Sequence, residues 1–330
     1  NRFGCLVQQL RAPDFQLVAE IGKLHRIHEF LIVGRTIAFR QQNGFRRGRF
    51  AKRFTGRLAS RLGDLATFFF GNLYGFTGPL HQDGPIKMAL VLPASGVMPN
   101  STTWIGWWIK REENWHTYWE HPGNVGLTPN LEWELPKDIE VGELQFPHPK
   151  RVQMAGVKAY GHHGETLYIS QLHIPNLPIG TKLKLRAKAR WMACSNVCLP
   201  QFSELSLALI VQDESLPDEK WNSRFSEFLM HRPVPVPEKW KLQATELGQF
   251  TKLSVTNHQL LAGEEVYLFG GDYLVCSDSE QRLRATDSGF GILVPKPVWP
   301  EENPSHLNGL LRICGTENSY RYYPLNVPLD

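Results

Sequence analysis

Cys194 and Cys198, in WMACSNVCLP (191–200), are two of only five cysteines in a chain of 330 residues. Thiols at this spacing have three chemistries open to them. They can cycle between dithiol and disulfide, form a fixed cross-link, or hold Zn or Cu(I) if His162 and His163 of YGHHGE come close. A fixed cross-link over so short a loop removes little chain entropy and is a poor staple. Any disulfide needs Cα atoms about 4.4 to 6.8 Å apart, whereas four residues of extended strand span roughly 13 Å. The chain must therefore turn between the two. Ser195 and Asn196 favour a turn, and Pro200 opposes a continuing helix or central strand. The expectation is a strand that enters Cys194 and another that leaves after Cys198, with both sulfurs at a sheet end.

The elements that must position this pair read as strands. Lys182, Lys184, Arg186, Lys188 and Arg190 alternate with Leu183, Leu185, Ala187, Ala189 and Trp191, the period-two pattern of a strand with one solvated face and one buried face. Short apolar runs divided by Pro, Gly and Asn begin near residue 85, among them IKMALVLPASG, TTWIGWWIK, LEWELPKD, ETLYISQLHIPNLPIG and ELSLALIVQ. Strands at this spacing suggest a β-sandwich. Residues 212–240 break the rhythm, with a short amphipathic helix predicted over roughly 218–230 and then PVPVP, whose fixed φ angles favour an extended linker. KLSVTN, EEVYLFG, GFGILVP and NGLLRICG then read as strands of a second, smaller β domain. The expected fold class is all-β. The expected divisions are a basic extension over 1–78, a sandwich over 80–212, the helix and linker over 213–239, and the second domain over 240–330.

Composition agrees with this reading. The length exceeds what one hydrophobic core usually serves, and 23 prolines with 28 glycines favour many turns and short strands. No run approaches the roughly 18 to 20 apolar residues of a membrane-spanning helix, so no direct membrane insertion is expected of this chain, and no signal-peptide pattern is recognisable. The net charge of +4 hides an asymmetry: residues 1–78 carry 13 Lys and Arg against 4 Asp and Glu, the remainder 23 against 28. GFRRGRFAKRF (44–54) interleaves basic and aromatic residues, a composition that phosphates and bases attract. The preferred reading is nevertheless an extension, disordered or foreign to the domain, with helices near 15–31 and 51–66 and no nucleic-acid partner. No Gly-rich phosphate loop, Ser/His/Asp signature or dinucleotide fingerprint is present.

NWHTYWEHPGNVGL (114–127), LEWELP (131–136), LQFPHPKR (144–151), AYGHHGETLY (159–168) and WMACSNVCLPQFSELSLAL (191–209) together carry a resemblance. The stretch from Trp104 to about Val211 resembles the N-terminal periplasmic domain of the DsbD family of bacterial transmembrane thiol:disulfide interchange reductases, especially the branch linked to suppression of copper sensitivity. Residues 240–330 more loosely resemble the second β domain of that branch, through VYLFGGD and LNGLLRI. The resemblance implies an immunoglobulin-like sandwich in the periplasm whose redox pair is Cys194 and Cys198. It also implies electrons taken from a DsbD-type membrane domain and passed to thioredoxin-like or other exported proteins, with no cofactor and no metal. Cys198 would form the mixed disulfide, and Tyr160, in the stretch that aligns with the family's aromatic cap, would shield the pair. His162, His163 and Glu165 are candidate tuners of the thiolates. Two departures point to a cap built differently: Ala159 stands where an aromatic can stand, and PGNVG replaces a commoner Pro-Gly-Asp-Ser-Gly. The alternative is a non-catalytic β-sandwich that binds copper or a protein partner.

Other residues have simpler readings. Trp104, Trp107, Trp108, Trp115, Trp119 and Trp133 crowd into 30 residues, and their alternation within strands favours core packing over a sugar platform. His116 and His121 flank TYWE without metal-type spacing and are expected at a loop or strand end. Glu132 and Glu134 share a strand face and are expected in solvent rather than as a glycosidase pair. Cys276 and Cys314 are either buried single thiols or a bridge between two strands.

Overall fold

The computed structural model describes residues 76–271, 274–297, 304–315 and 319–330, together with the backbone of 29–33, 36–41 and 44–46. The chain divides into two compact units, Asn1–Gly71 and Asn72–Asp330. In the first, β1 (Glu29–Val33), β2 (Thr36–Gln41) and β3 (Gly44–Arg46) form an antiparallel three-stranded sheet in sequential order. The helix expected over 15–31 meets this sheet at its last three residues, which are strand. The rest of that segment, the helix expected over 51–66 and GFRRGRFAKRF beyond Arg46 lie outside the described residues.

The second unit contains two sandwiches in succession. The strands of the first are β4 (His81–Asp83), β5 (Ile86–Val91), β6 (Ser101–Arg111), β7 (His116–Tyr118), β8 (Asn130–Glu134), β9 (Glu140–Val141), β10 (Lys150–Met154), β11 (Val157–His163), β12 (Glu165–Ile174), β13 (Lys182–Cys194) and β14 (Cys198–Ile210). One sheet runs β4-β5-β6-β12-β9. The other runs β10-β11-β7-β13-β14, with β8 also paired to β13. Their facing sides close on Ile86, Met88, Trp107, Tyr168, Leu185 and Trp191, among others. The alternation read along 182–191 is present, the basic residues exposed and the apolar ones buried. Glu132 and Glu134 are paired on the solvated face with Arg190 and Lys188. Each of the six tryptophans packs into a hydrophobic cluster.

Helix α1 (Glu219–Met230) starts at Asp218, whose carboxylate accepts from the Trp221 backbone N–H at 2.8 Å and satisfies a free first-turn donor. It buries Trp221 and Phe225 on the outer side of the β5-β6-β12 sheet, against Ala89, Val91, Leu167 and Ile169. The prolines at 233, 235 and 237 then carry the chain past the second sandwich, where Val234 N–H donates to Tyr322 O at 2.9 Å.

That sandwich comprises β15 (Lys241–Leu247), β16 (Phe250–Thr256), β17 (Glu265–Gly270), β18 (Arg282–Thr286), β19 (Gly289–Pro295), β20 (His306–Cys314) and β21 (Tyr320–Pro328). Its sheets run β15-β16-β19-β18 and β17-β20-β21 around Leu253, Val255, Leu268, Phe290, Ile292 and Leu311. Cys276 and Cys314 are separate buried thiols within it.

The two sandwiches share an aromatic seam. Trp119 and Tyr160 of the first meet Tyr267, Phe269 and Leu310 of the second, and His148 stacks on Tyr322 at 3.7 Å between ring centres.

Candidate functional site

β13 and β14 are the two arms of one hairpin, paired from Lys182↔Ile210 to Cys194↔Cys198. The turn expected at Ser195 and Asn196 is there, and it sets the Cα atoms of Cys194 and Cys198 4.2 Å apart with a disulfide between them. Cross-strand partners present their side chains on one face of a sheet, and the next pair along presents them on the other. The row Cys198–Cys194–His116–His163 thus lies on the outer face, followed by Tyr118 and Gly161 and then by Ala159 and Val152. The row between, Ala193–Thr117–His162, points into the sandwich.

The disulfide's two sulfurs have different surroundings. Cys194 is fully buried in a cluster with Tyr118, Val152 and Ala159, against which Val125, Met154, Met192 and Cys198 pack. Tyr118 Oη donates to Cys194 Sγ at 3.1 Å. Burial raises the Tyr118 phenol above its usual value, so it remains a donor at neutral pH. Cys198 is half-buried between exposed Val197 and Leu199, and Phe202, four residues further along β14, is 81 % exposed.

The loop from β7 to β8 lies over this cluster. Gly126, at φ +110°, sits on the Tyr118 ring so closely that an added Cβ would be 2.2 Å from it, which leaves room for glycine only. Its neighbour Val125 supplies the apolar contact.

The residues expected to cap and tune the pair are mostly elsewhere. Tyr160 is buried but on the other side, against Trp119, Phe269 and Tyr267 with ring centres 5.1 to 6.4 Å apart. The reason is strand alternation: Ala159 faces the disulfide, so its neighbour Tyr160 cannot. His162 also points inward, edge-on to Tyr168. Burial, followed by the charges of Arg111 and Lys150, holds it well below the usual histidine range, so it stays neutral and supplies no positive charge to a thiolate. Glu165 belongs to the other sheet and pairs with Lys110 at 2.9 Å and Arg224 at 2.7 Å. Partial burial would raise it, but hydrogen bonds from Lys110, Arg224 and Trp108 bring it to about 2. His163 alone of the four lies on the disulfide's face, exposed, with its ring 5.5 Å from His116.

Sequence reasoning missed Tyr118, His116 and the cover supplied by residues 122–126. His116 is directly beside Cys194 in the sheet. Burial, then the charges of His163 and Arg111, hold its pKa at about 4. Beneath this row Arg111 is buried, its guanidinium donating to Thr117, Thr166, Tyr168 and Gly164 O and, among the described residues, pairing with no carboxylate. Among the described residues no group of three or more His, Cys, Asp or Glu is arranged to hold a metal ion. A cleft of about 670 Å³ lined by Phe146, His148, His231 and Arg232 shares no residue with the disulfide cluster.

The disulfide thus lies at a hairpin end, with one sulfur on a phenol and the other half-buried, and comparison with known proteins supports a thiol:disulfide interchange module. Residues 88–210 match the family described as thiol:disulfide interchange protein DsbD, N-terminal, and this stretch is a domain of that family. The chain is similar to the N-terminal periplasmic domain of ScsB from Proteus mirabilis, at 15% identity and a TM-score of 0.58 over 77% of this chain and 98% of that one. At such identity the likeness concerns the fold, an immunoglobulin-like sandwich followed by a second β domain. The human desmocollin-1 ectodomain matches over 92% of this chain and 56% of that chain, at 8% identity and a TM-score of 0.18, which is too low to carry an argument. No curated protein matches. Among the described residues no helix is long and apolar enough to cross a membrane.

Proposed function

We propose that the first sandwich relays electron pairs in the periplasm, accepting them from a DsbD-type membrane domain and delivering them to thioredoxin-like or other exported proteins. The observation that carries this reading is the asymmetry of the pair: Cys194 is sealed against the Tyr118 hydroxyl, while Cys198 is half-open between exposed Val197 and Leu199. Thiol:disulfide exchange needs one sulfur that a partner can reach and one that can leave as a stabilised thiolate.

In the loading direction a donor thiolate attacks Cys198 Sγ. The Cys194–Cys198 bond breaks, its electron pair goes to Cys194 Sγ, and the Tyr118 O–H donates to the new thiolate. The donor's second thiolate then attacks its own sulfur in the mixed disulfide and releases Cys198. Two electrons and two protons have moved, and the donor is left as a disulfide. Delivery is the reverse: Cys198 attacks the acceptor disulfide, and Cys194 resolves the mixed disulfide. The exposed apolar side chains beside Cys198 suit docking of a protein rather than of a small thiol.

The test is a redox titration with thiol alkylation and mass spectrometry. One reversible two-electron couple is expected at Cys194 and Cys198, abolished by Cys194→Ser or Cys198→Ser. A pair that never cycles, or that ignores a reduced thioredoxin-like protein, overturns the reading.

A further inference from the structure

The loop that covers the disulfide is fastened to the second sandwich. Asn124 is the fastening residue. Its backbone N–H donates to Ser277 Oγ at 2.9 Å, and its Oδ1 accepts from the Ser277 N–H at 2.9 Å and lies 3.0 Å from the hydroxyl. Its Nδ2 donates to the Cys276 sulfur at 3.3 Å. Ser277 is fully buried, and its hydroxyl also reaches Lys158 O at 2.9 Å. Gly123, at φ +87°, lies so near that an added Cβ would be 2.4 Å from Ser277 Oγ. The following residues extend the grip onto β10 and β11: Asp278 accepts from Lys158 N–H at 2.8 Å, and Glu280 pairs with Arg151 and Lys158. One residue beyond Asn124, Val125 is on the disulfide cluster, and Gly126 is on Tyr118.

The geometry points to a latch: the second sandwich, through Ser277, holds loop 120–128 closed over Cys194 and Tyr118 and so sets how readily the Cys194–Cys198 bond is exposed to an attacking thiolate. Asn124 and Ser277 are positioning residues, since neither touches the reacting sulfurs. The latch rests on the exchange reading above. It gives the second sandwich a function in that reaction: a partner that engages exposed Asp278 and Glu280 releases the cover where it docks, and a thiol that does not meets the closed cover.

The test uses the full chain with Asn124→Ala, which removes the amide's bonds to Ser277 and Cys276, and, separately, Ser277→Ala, which removes the hydroxyl's bonds to Asn124 and Lys158 and serves if the first variant does not fold. Three quantities are compared with the unchanged protein: the rate at which dithiothreitol reduces Cys194–Cys198, the position of that couple against glutathione, and the alkylation rate of buried Cys314. The latch requires a rate about tenfold higher, the gain in open population when hydrogen bonds worth about 1.4 kcal/mol are lost. The couple and the Cys314 rate should not move, which separates local opening from unfolding. An unchanged or lower reduction rate, or one that rises only in step with Cys314 alkylation, overturns the latch. Absence of any reversible couple in the unchanged protein is a different failure: it removes the exchange reading, and the latch with it.

Discussion

At the scale of single residues, what matters is which sulfur can leave. Cys194 has an O–H at 3.1 Å and no access to solvent, so in the proposed exchange Tyr118 is the donor placed to meet the charge it takes on. An unmet charge in such a place is costly. Replacing Tyr118 by Phe keeps the ring beneath Gly126 and removes only the hydroxyl. Turnover with a protein disulfide acceptor should fall about tenfold, the effect of losing one hydrogen bond to a charged group, with the melting temperature nearly unchanged. Equal turnover in Tyr118→Phe would show that Cys194 leaves without help from the phenol. His162 and Glu165 are placed differently: the first is neutral in the core and the second is engaged by Lys110 and Arg224, so neither faces the sulfurs.

At the scale of elements, the site depends on three strands from distant parts of the sequence lying side by side: β11, β7 and β13. Gly161 permits the closest of these approaches. A Cβ there would stand 2.2 Å from Thr117 O and 3.2 Å from the Tyr118 Cα, so any side chain pushes β11 away from β7. Gly161→Ala is expected to destabilise the chain by about 1 to 3 kcal/mol, the range for an overpacked contact, and to misplace Tyr118. Denaturant unfolding followed by tryptophan fluorescence measures the first effect. A midpoint within error of the parent would mean that the sheet yields at this point.

At the scale of the molecule, buried histidines make the assembly acid-sensitive. His116 and His148 are both held at about 4 from an ordinary value of 6.5, each chiefly by burial, and His162 lies well below it. The unfolded chain takes up these protons as pH falls through 6.5, whereas the folded chain does so only near 4 or lower. Between those values the unfolded state binds more protons, so stability falls as pH falls and is level above about 7. His148 stacks on Tyr322 across the seam, so its protonation places a charge in the contact between the sandwiches. Thermal melts should show the chain losing a few kcal/mol, in sum, between pH 7 and 4.5. A melting temperature constant over that range would contradict the burial of these rings.

The sequence by itself determined what local chemistry can express. Period-two alternation over 182–191 defined a half-buried strand, the distance a strand covers in four residues demanded the turn at Ser195 and Asn196, and the helix near 218–230 was readable from Asp218 and its apolar spacing. The quoted motifs carried the exchange chemistry to Cys194 and Cys198. What surrounds those sulfurs was decided by the tertiary structure alone, because side-chain direction in a strand depends on register, and register between β7, β11 and β13 is set by pairings 43 to 78 residues apart in the chain. That register turns Ala159 rather than Tyr160 towards the disulfide, brings Tyr118 onto Cys194, and leaves Tyr160 for the aromatic seam. The bond from Asn124 to Ser277 spans 153 positions and joins two separate cores, so no pattern within either segment can announce it.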